Sequence, residues 1–331
     1  MQPVLNKALP FRTINDVAIH FQDQQTCLEY LTQLRWNGKP TCAFCGHDHV
    51  YELKGANKRY KCAKCRKHFS AIKGTIFEKT TVPLAKWFMA IFILSTHRKG
   101  ISSVQVARDI GVTQKTAWFM MQRVRNAFKQ HSFETNTKLG GTDKIVEADE
   151  VFFNPKPSNM HSKRRIRYEQ DGKPNRIVIA GALEREGQIR VSKVEKASYK
   201  HLVPFLIKNV QPGTQVMTDE HTAYDKLNRI YTHNTVNHIK KQYVRTDQKT
   251  GTRITTNAIE NFWSVLKRGV YGTYHQISGK HCENYLQEFA FRFNTREFSE
   301  AQRFDKLISL SNYRIDYATL TQKDKNATKK A

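Results

Sequence analysis

The chain has 331 residues, 55 Lys+Arg against 29 Asp+Glu, and a formal net charge of +26. That length suits about two or three domains with ample core for at least one, and the charge makes polyanions the first candidate partners. Residues 1–20 lack a continuous apolar stretch of the secretory type, and the most apolar run, WFMAIFIL (87–94), is too short to span a bilayer. The six cysteines include two C-x2-C pairs, which in a chain without a leader read as metal ligands and not as a disulfide framework. The expectation is a soluble intracellular protein with no membrane partner. Basic runs recur in SKRRIR (162–167), IKKQYVR (239–245), LKRG (266–269) and QKDKNATKK (322–330), which favours a long nucleic-acid track over a single basic tail; Arg268 in the third run is a DNA-contact candidate.

Residues 20–80 are expected to form a zinc ribbon led by a helix. CAFC (42–45) and CAKC (62–65) place Cys42, Cys45, Cys62 and Cys65 as two knuckles. Two-residue spacing turns both thiolates of a knuckle toward one ion, and two knuckles complete a closed, structural Zn2+ shell. His47, His49 and His68 are near enough to compete, but four thiolates suffice, so they read as surface residues. CLEYLTQLRW (27–36) has the pattern of an amphipathic helix packed on the ribbon, with Cys27 as a core thiol. Residues 83–132 follow as a helix-turn-helix. Val104, Ala107 and Ile110 repeat at helical spacing, Gly111 breaks the run, and Thr113 is placed to cap a second helix with Ala117, Met121 and Val124 as its apolar stripe. That helix is expected to present Gln114, Lys115, Thr116, Gln122 and Arg123 to phosphates and base edges.

Residues 140–300 hold the acids. Strands are expected at about 144–153, at RIVIAGALE (176–184), at QIRVSKVE (188–195), at TQVMTDE (214–220) and at HNTVNH (233–238). Helices are expected at 198–210, 222–230 and 256–269, with a polar, basic loop over 240–253. The order β-β-β-α-β-α-β-α is that of an α/β, ribonuclease-H-like fold: a mixed five-stranded sheet with flanking helices, here preceded by the ribbon and the helix-turn-helix. In IVEADEVFF (145–153) three carboxylates enter an apolar strand of a basic protein. A buried carboxylate needs a basic partner or a cation. Asp149 on the first strand, Asp219 at the end of the fourth and Glu260 on the following helix would converge at one place, where repulsion is relieved by two Mg2+ or Mn2+ ions. Asn257, Glu260, Ser264 and Lys267 lie along one stripe of that helix, opposite Ile259, Phe262 and Leu266. Glu147 shares a face with Asp149 by strand alternation and is expected to support it; Glu150 points to the other face, as a structural or DNA-edge residue. Trp263 reads as packing, as do Tyr285, Phe289, Phe291 and Phe293, while Arg292 and Arg296 are one helical turn apart and placed to meet a phosphate. His275 and His281 carry no argument for catalysis.

In this order the chain resembles the bacterial insertion-sequence DDE transposases with an N-terminal zinc ribbon. The resemblance rests on CAFC…RYKCAKCRKHFSAIKGTIFE (42–78), VEADE (146–150), TDEHTAY (218–224), NAIENFWSVLKRGVYGTYHQIS (257–278) and YLQEFAFRFN (285–294). It implies Asp149, Asp219 and Glu260 as the metal-binding triad, with Lys267 and Asn257 positioning DNA; Asn257 and Glu260 remain alternatives for the third ligand. The implied activity is metal-dependent 3′-end cleavage of the element's terminal inverted repeats and strand transfer into target DNA, in a homo-oligomer that joins both ends in the bacterial cytoplasm, at the nucleoid. A ribonuclease-H-fold nuclease that cuts without joining, and a transposase-derived DNA-binding regulator, are the alternatives. After Glu150 many relatives carry a short aromatic, Gly-rich segment ending in Lys; this chain has VFFNPKPSNMHSKRR, which reads as a DNA-contacting insertion. Residues 301–331 are expected to be a basic tail.

Overall fold

The structure is a computed structural model describing residues 11–55, 58–134, 137–153, 162–170, 176–237, 244–248 and 251–322. The chain divides into two compact units, residues 132–294 and the flanking 1–131 with 295–331. The first unit opens with α1 (Ile14–His20), whose start is closed by a capping box between Thr13 and Asp16, and α2 (Gln24–Trp36), capped by Asp23. An antiparallel meander of β1 (Val50–Leu53), β2 (Arg59–Cys62) and β3 (His68–Ser70) follows. The apolar run 87–94 belongs to α3 (Leu84–Thr96), a core helix buried almost all round, with Trp87, Phe88 and Leu94 at most 1% exposed. No helix among the described residues is long and apolar enough to cross a membrane.

Next come α4 (Ser103–Ile110) and α5 (Gln114–Glu134). Gly111, in the left-handed region at φ 64°, ends α4, and the Thr113 hydroxyl accepts the Thr116 N–H to begin α5. The buried stripe of α4 is Val106, Ala107 and Ile110; Val104 is exposed, contrary to the sequence reading. A larger correction concerns α5. Gln122 and Arg123, expected to face DNA, are buried at 0% and 4% exposure. The Arg123 guanidinium donates to the Ile76 carbonyl at 2.6 Å and the Ile315 carbonyl at 2.9 Å, so its charge is spent on holding chain segments together. Burial lowers its pKa from the usual value, and the nearby Arg314 charge adds to this.

The second unit is built on β4 (Ile145–Phe153), followed by α6 (Ser162–Gln170), which carries the SKRRIR run. Much of the proposed DNA-contacting insertion, residues 154–161, lies outside the described residues, as do 239–243 of the second basic run. Then come β5 (Ile177–Glu184), β6 (Ile189–Val194), α7 (Tyr199–Asn209) and β7 (Gln215–Asp219). The helix expected over 222–230 is instead two 3-10 turns, Thr222–Tyr224 and Leu227–Arg229; Tyr224 and Leu227, three residues apart, are buried, the period of that tighter geometry. After β8 (Thr232–Val236), the expected loop contains a small ribbon of β9 (Arg245–Thr246) and β10 (Arg253–Ile254). The unit closes with α8 (Asn257–Gly269), a π turn at Val270–Tyr274, and α9 (Cys282–Asn294). The sheet order is β6-β5-β4-β7-β8; the first three strands are antiparallel and β7 and β8 join in parallel. This is the ribonuclease-H-like sheet. On one face Val146 and Ala148 pack with α7 residues Leu202 and Leu206; on the other Val151 and Phe153 share a cluster with Ile259, Phe262, Trp263 and Leu286. Phe289 and Phe291 of α9 are buried, and Arg292 is spent on Glu288 at 2.6 Å, which removes it from the phosphate role expected of it.

The last helices, α10 (Glu300–Ser309) and α11 (Tyr317–Thr321), belong to the first unit. Phe304 of α10 is fully buried against Phe11, Phe21 and Phe88, and the Tyr30 hydroxyl bonds to Asp305. The expected tail is therefore core structure through α10, whereas α11 is exposed except at Leu320. Residues 323–331 lie outside the described set.

Candidate active site and metal centre

In the ribbon, knuckle turns bring the four thiol sulfurs within 4.8 Å of one another. The Sγ–Sγ distances are 3.6 Å for Cys42–Cys65 and 3.7 Å for Cys45–Cys62. A tetrahedral zinc with Zn–S of about 2.3 Å needs sulfurs roughly 3.8 Å apart, so the donor set fits that ion closely. The Phe44 and Cys65 N–H groups point at the Cys42 and Cys62 sulfurs, as expected where thiolate charge is held. No other trio of His, Cys, Asp or Glu comes this close among the described residues. The three acids expected to converge therefore do not form a closed cage.

Around the centre of the second unit's sheet, each acid of VEADE has a different environment. Glu147 is 1% exposed. Its Oε1 accepts from Arg185 Nε at 2.8 Å, and its Oε2 accepts the Ala258 and Ile259 N–H groups at 2.8 and 3.1 Å. Those are donors of the first turn of α8, where a carboxylate complements both the orphan N–H groups and the helix dipole. Arg185 also donates to the Arg253 and Thr255 carbonyls just ahead of the helix. Glu147 thus anchors α8 on β4, a firmer role than the general support expected of it.

Asp149, two residues on and on the same face, has its Oδ1 bonded to the Glu150 N–H at 2.8 Å and its Oδ2 to the Trp263 indole N–H at 3.0 Å. Burial, then the carboxylates of Asp219 and Glu150, push its pKa up to about 7. Asp219 ends β7 and accepts the His221 N–H at 3.1 Å. Glu150 faces the opposite side, where the Tyr224 hydroxyl donates to it at 2.7 Å and His221 lies 3.8 Å away; burial raises its pKa. Asp149 and Asp219 thus lie near enough for their like charges to raise the Asp149 pKa, while Glu150, on the other face, is held by Tyr224 and His221. The two facing carboxylates are hard oxygen donors of the kind divalent cations take.

Glu260, in the first turn of α8, accepts from the Thr256 hydroxyl at 2.7 Å. Asn257 is exposed at the start of the helix and Lys267 and Arg268 are exposed in its last turn, where cations suit the dipole; Arg268 donates to Ser264 at 2.9 Å. In the first unit Gln114 donates to Ser103, Thr116 meets the Thr113 hydroxyl, and Lys115 lies over the Tyr317 ring at 5.3 Å; the first two side chains of the trio Gln114, Lys115, Thr116 are exposed. Two residues of the acid site escaped the sequence reading. Trp263 was read as packing alone, yet its indole touches Asp149. Gly181 lies within the strand RIVIAGALE, where an isolated glycine is the mark of a close approach.

A small four-cysteine ribbon and a ribonuclease-H-like sheet with carboxylates at its centre define the class: a two-unit protein pairing a structural metal module with an acid-centred α/β domain. Comparison with known proteins agrees. Residues 138–294 match the ISXO2-like transposase domain and residues 22–68 the transposase zinc-ribbon domain. The uncharacterized protein in transposable element ISH50 of Halobacterium salinarum is 27% identical over 287 residues, covering 82% of this chain and 91% of the relative. Among solved structures, the Mos1 Strand Transfer Complex aligns over 69% of this chain and 79% of that one, at 11% identity and TM-score 0.27. The mariner Mos1 paired end complex with Mg aligns over 70% and 80%, at 11% identity and TM-score 0.22. Scores that low add nothing to the topology. The chain thus carries a transposase zinc-ribbon domain followed by an ISXO2-like transposase domain.

Proposed function

We propose that this transposase binds the terminal inverted repeats of its own element as double-stranded DNA, cleaves their 3′ ends and joins them to target DNA. The observation that carries the reading is the pair Asp149 and Asp219 near the sheet centre: each Asp149 oxygen accepts one N–H, and burial with the Asp219 charge keeps Asp149 far above its ordinary pKa. Asp149 and Asp219 are the residues to hold divalent cations, with Glu260 or Asn257 completing the set from the start of α8. Magnesium sites commonly take one or two carboxylates and fill the remainder with water and phosphate oxygens, so an acid set wider than a closed cage suits this ion. When bound, a pair of Mg2+ or Mn2+ ions supplies charge neutralisation at a phosphodiester and activates the attacking hydroxyl.

The chain's own part is placement. Glu147 fixes the start of α8 against β4, which sets Glu260 and Asn257 relative to Asp149. Lys267 and Arg268 offer cationic contacts to the DNA backbone along the same helix, and Gln114, Lys115 and Thr116 offer contacts to the element end. The four thiolates of the ribbon would hold one structural Zn2+. Joining two ends requires more than one copy of the chain, and the work is done at the nucleoid in the bacterial cytoplasm.

The test is incubation of the full chain with labelled duplex bearing the repeats that flank its gene, plasmid target and Mg2+ or Mn2+, beside Asp219→Asn. Metal-dependent 3′ cleavage and joining, lost in the variant while binding persists, supports the reading. Cleavage without joining replaces it with a nuclease, and binding without breakage with a DNA-binding regulator.

A further inference from the structure

Asp149 has two oxygens, and each takes one N–H donor. Oδ1 is held by the backbone of Glu150 and Oδ2 by the Trp263 indole at 3.0 Å. A carboxylate oxygen accepts along two lone-pair directions, so both oxygens keep one direction free while the plane of the group is fixed. The backbone donor lies in the same strand, on the next residue. The indole does not: it comes from α8, and it needs space made for it.

That space is Gly181. In the β4–β5 pairing Gly181 stands directly opposite Asp149. A Cβ there would lie 2.5 Å from Cζ2 and 2.7 Å from Cη2 of Trp263, and 3.1 Å from Cδ1 of Ile259. Trp263 is 3% exposed, so its ring has nowhere to retreat. Gly181 is absent from the glycines with positive φ, so its backbone conformation does not call for glycine. The close approach of the ring does. Trp263 lies one turn after Glu260 on the helix whose start Glu147 already ties to β4, two residues before Asp149. The helix is therefore fastened to one strand at two points, and Asp149 is one of them.

We propose that Trp263 is a positioning residue that orients the Asp149 carboxylate toward the cation, and that Gly181 is the residue that admits it. The inference rests on Asp149 being a metal ligand, as proposed above. Removing a hydrogen-bond partner of a metal ligand characteristically weakens metal affinity about 10–100-fold, whereas a packing residue leaves the affinity of a still-folded protein alone.

The experiment titrates the full chain with Mn2+ and follows free Mn2+ by electron paramagnetic resonance. Wild type is compared with Asp149→Asn, Trp263→Phe and Gly181→Ala, each with its circular dichroism and urea midpoint. Trp263→Phe keeps an aromatic ring and removes only the donor and some volume; Gly181→Ala keeps the donor and displaces it, and stands in should the first variant unfold. The expected result is Mn2+ binding that depends on Asp149 and weakens about tenfold or more in the folded variants. As a reading on the unaltered tryptophan, one of the four indole N–H resonances should shift in Asp149→Asn and broaden with substoichiometric Mn2+. Unchanged Mn2+ affinity in a folded Trp263→Phe overturns the inference and leaves the metal reading standing. Absence of Asp149-dependent binding in wild type overturns the metal reading and this inference with it.

Discussion

Replacing Asp149 with Asn removes the charge and keeps the shape, but leaves one acceptor oxygen for two donors, the Glu150 N–H and the Trp263 indole. Its pKa stands at about 7 in the fold against 3.8 in an unstructured chain. A raised carboxylate pKa means that the metal-free fold is favoured while the group is protonated. This contribution is intact below about 3.8 and is lost as pH climbs through about 7. Three pH units at ~1.36 kcal/mol each give an upper bound of about 4 kcal/mol at pH 8.5. The carboxylate keeps partial access to solvent, so about half of that is the reasonable expectation. The charge therefore makes Asp149→Asn about 1 kcal/mol more favourable relative to wild type at pH 8.5 than at pH 5.5, where only part of the shifted range has been crossed, on top of a pH-independent cost for the donor left unpaired. Urea unfolding of both proteins in Mg2+- and Mn2+-free buffer at the two pH values measures it. Fixed differences between Asp and Asn cancel between the two. A gap that is the same at both, or that grows toward acid, would refute the electrostatic account of the site.

Four further expectations follow from the contacts. Glu147→Ala should cost roughly 3–5 kcal/mol, because it strands the Arg185 guanidinium and two N–H groups of α8 around a buried position; urea midpoints read it, and a loss under about 1 kcal/mol contradicts the anchor. Arg123→Ala should lower stability by about 2–3 kcal/mol through carbonyls left without a donor. Lys115→Ala, by contrast, should leave the urea midpoint alone and reduce the salt slope of DNA binding by about one ion. Cys45→Ser should abolish stoichiometric zinc, measured by metal analysis of the purified chain, and unfold the ribbon while the circular dichroism of the sheet unit persists.

Much of this architecture was legible in sequence because its signals are local. The two C-x2-C knuckles, the order of strands around the acids, and the polar stripe from Asn257 to Lys267 opposite Ile259 and Leu266 all show in periodicity and spacing. What escaped depends on which segments meet. Gln122 and Arg123 look like an exposed basic face until Ile76 and Ile315 supply the carbonyls that bury the guanidinium. The segment around Phe304 read as tail because its charged surroundings hid the stripe of Ala301, Phe304, Leu307 and Ile308, although a Ser299–Gln302 capping box marked the start of a helix. The division of labour within VEADE was also hidden. Alternation placed Glu147 and Asp149 on one face, but no spacing in the strand reveals that the first would meet a helix start from residues 258–259 and the second an indole from residue 263.

The central claim is that the acids at the middle of the sheet gather divalent cations. Crystals of the full chain grown without Mg2+, then soaked in Mn2+ and measured for anomalous scattering at the manganese edge, test it directly. The account predicts manganese peaks within coordination distance of Asp149 and Asp219, with a carboxylate or amide from the start of α8 beside them. A map with manganese elsewhere, or with none against Asp149 and Asp219 at saturating Mn2+, would contradict it.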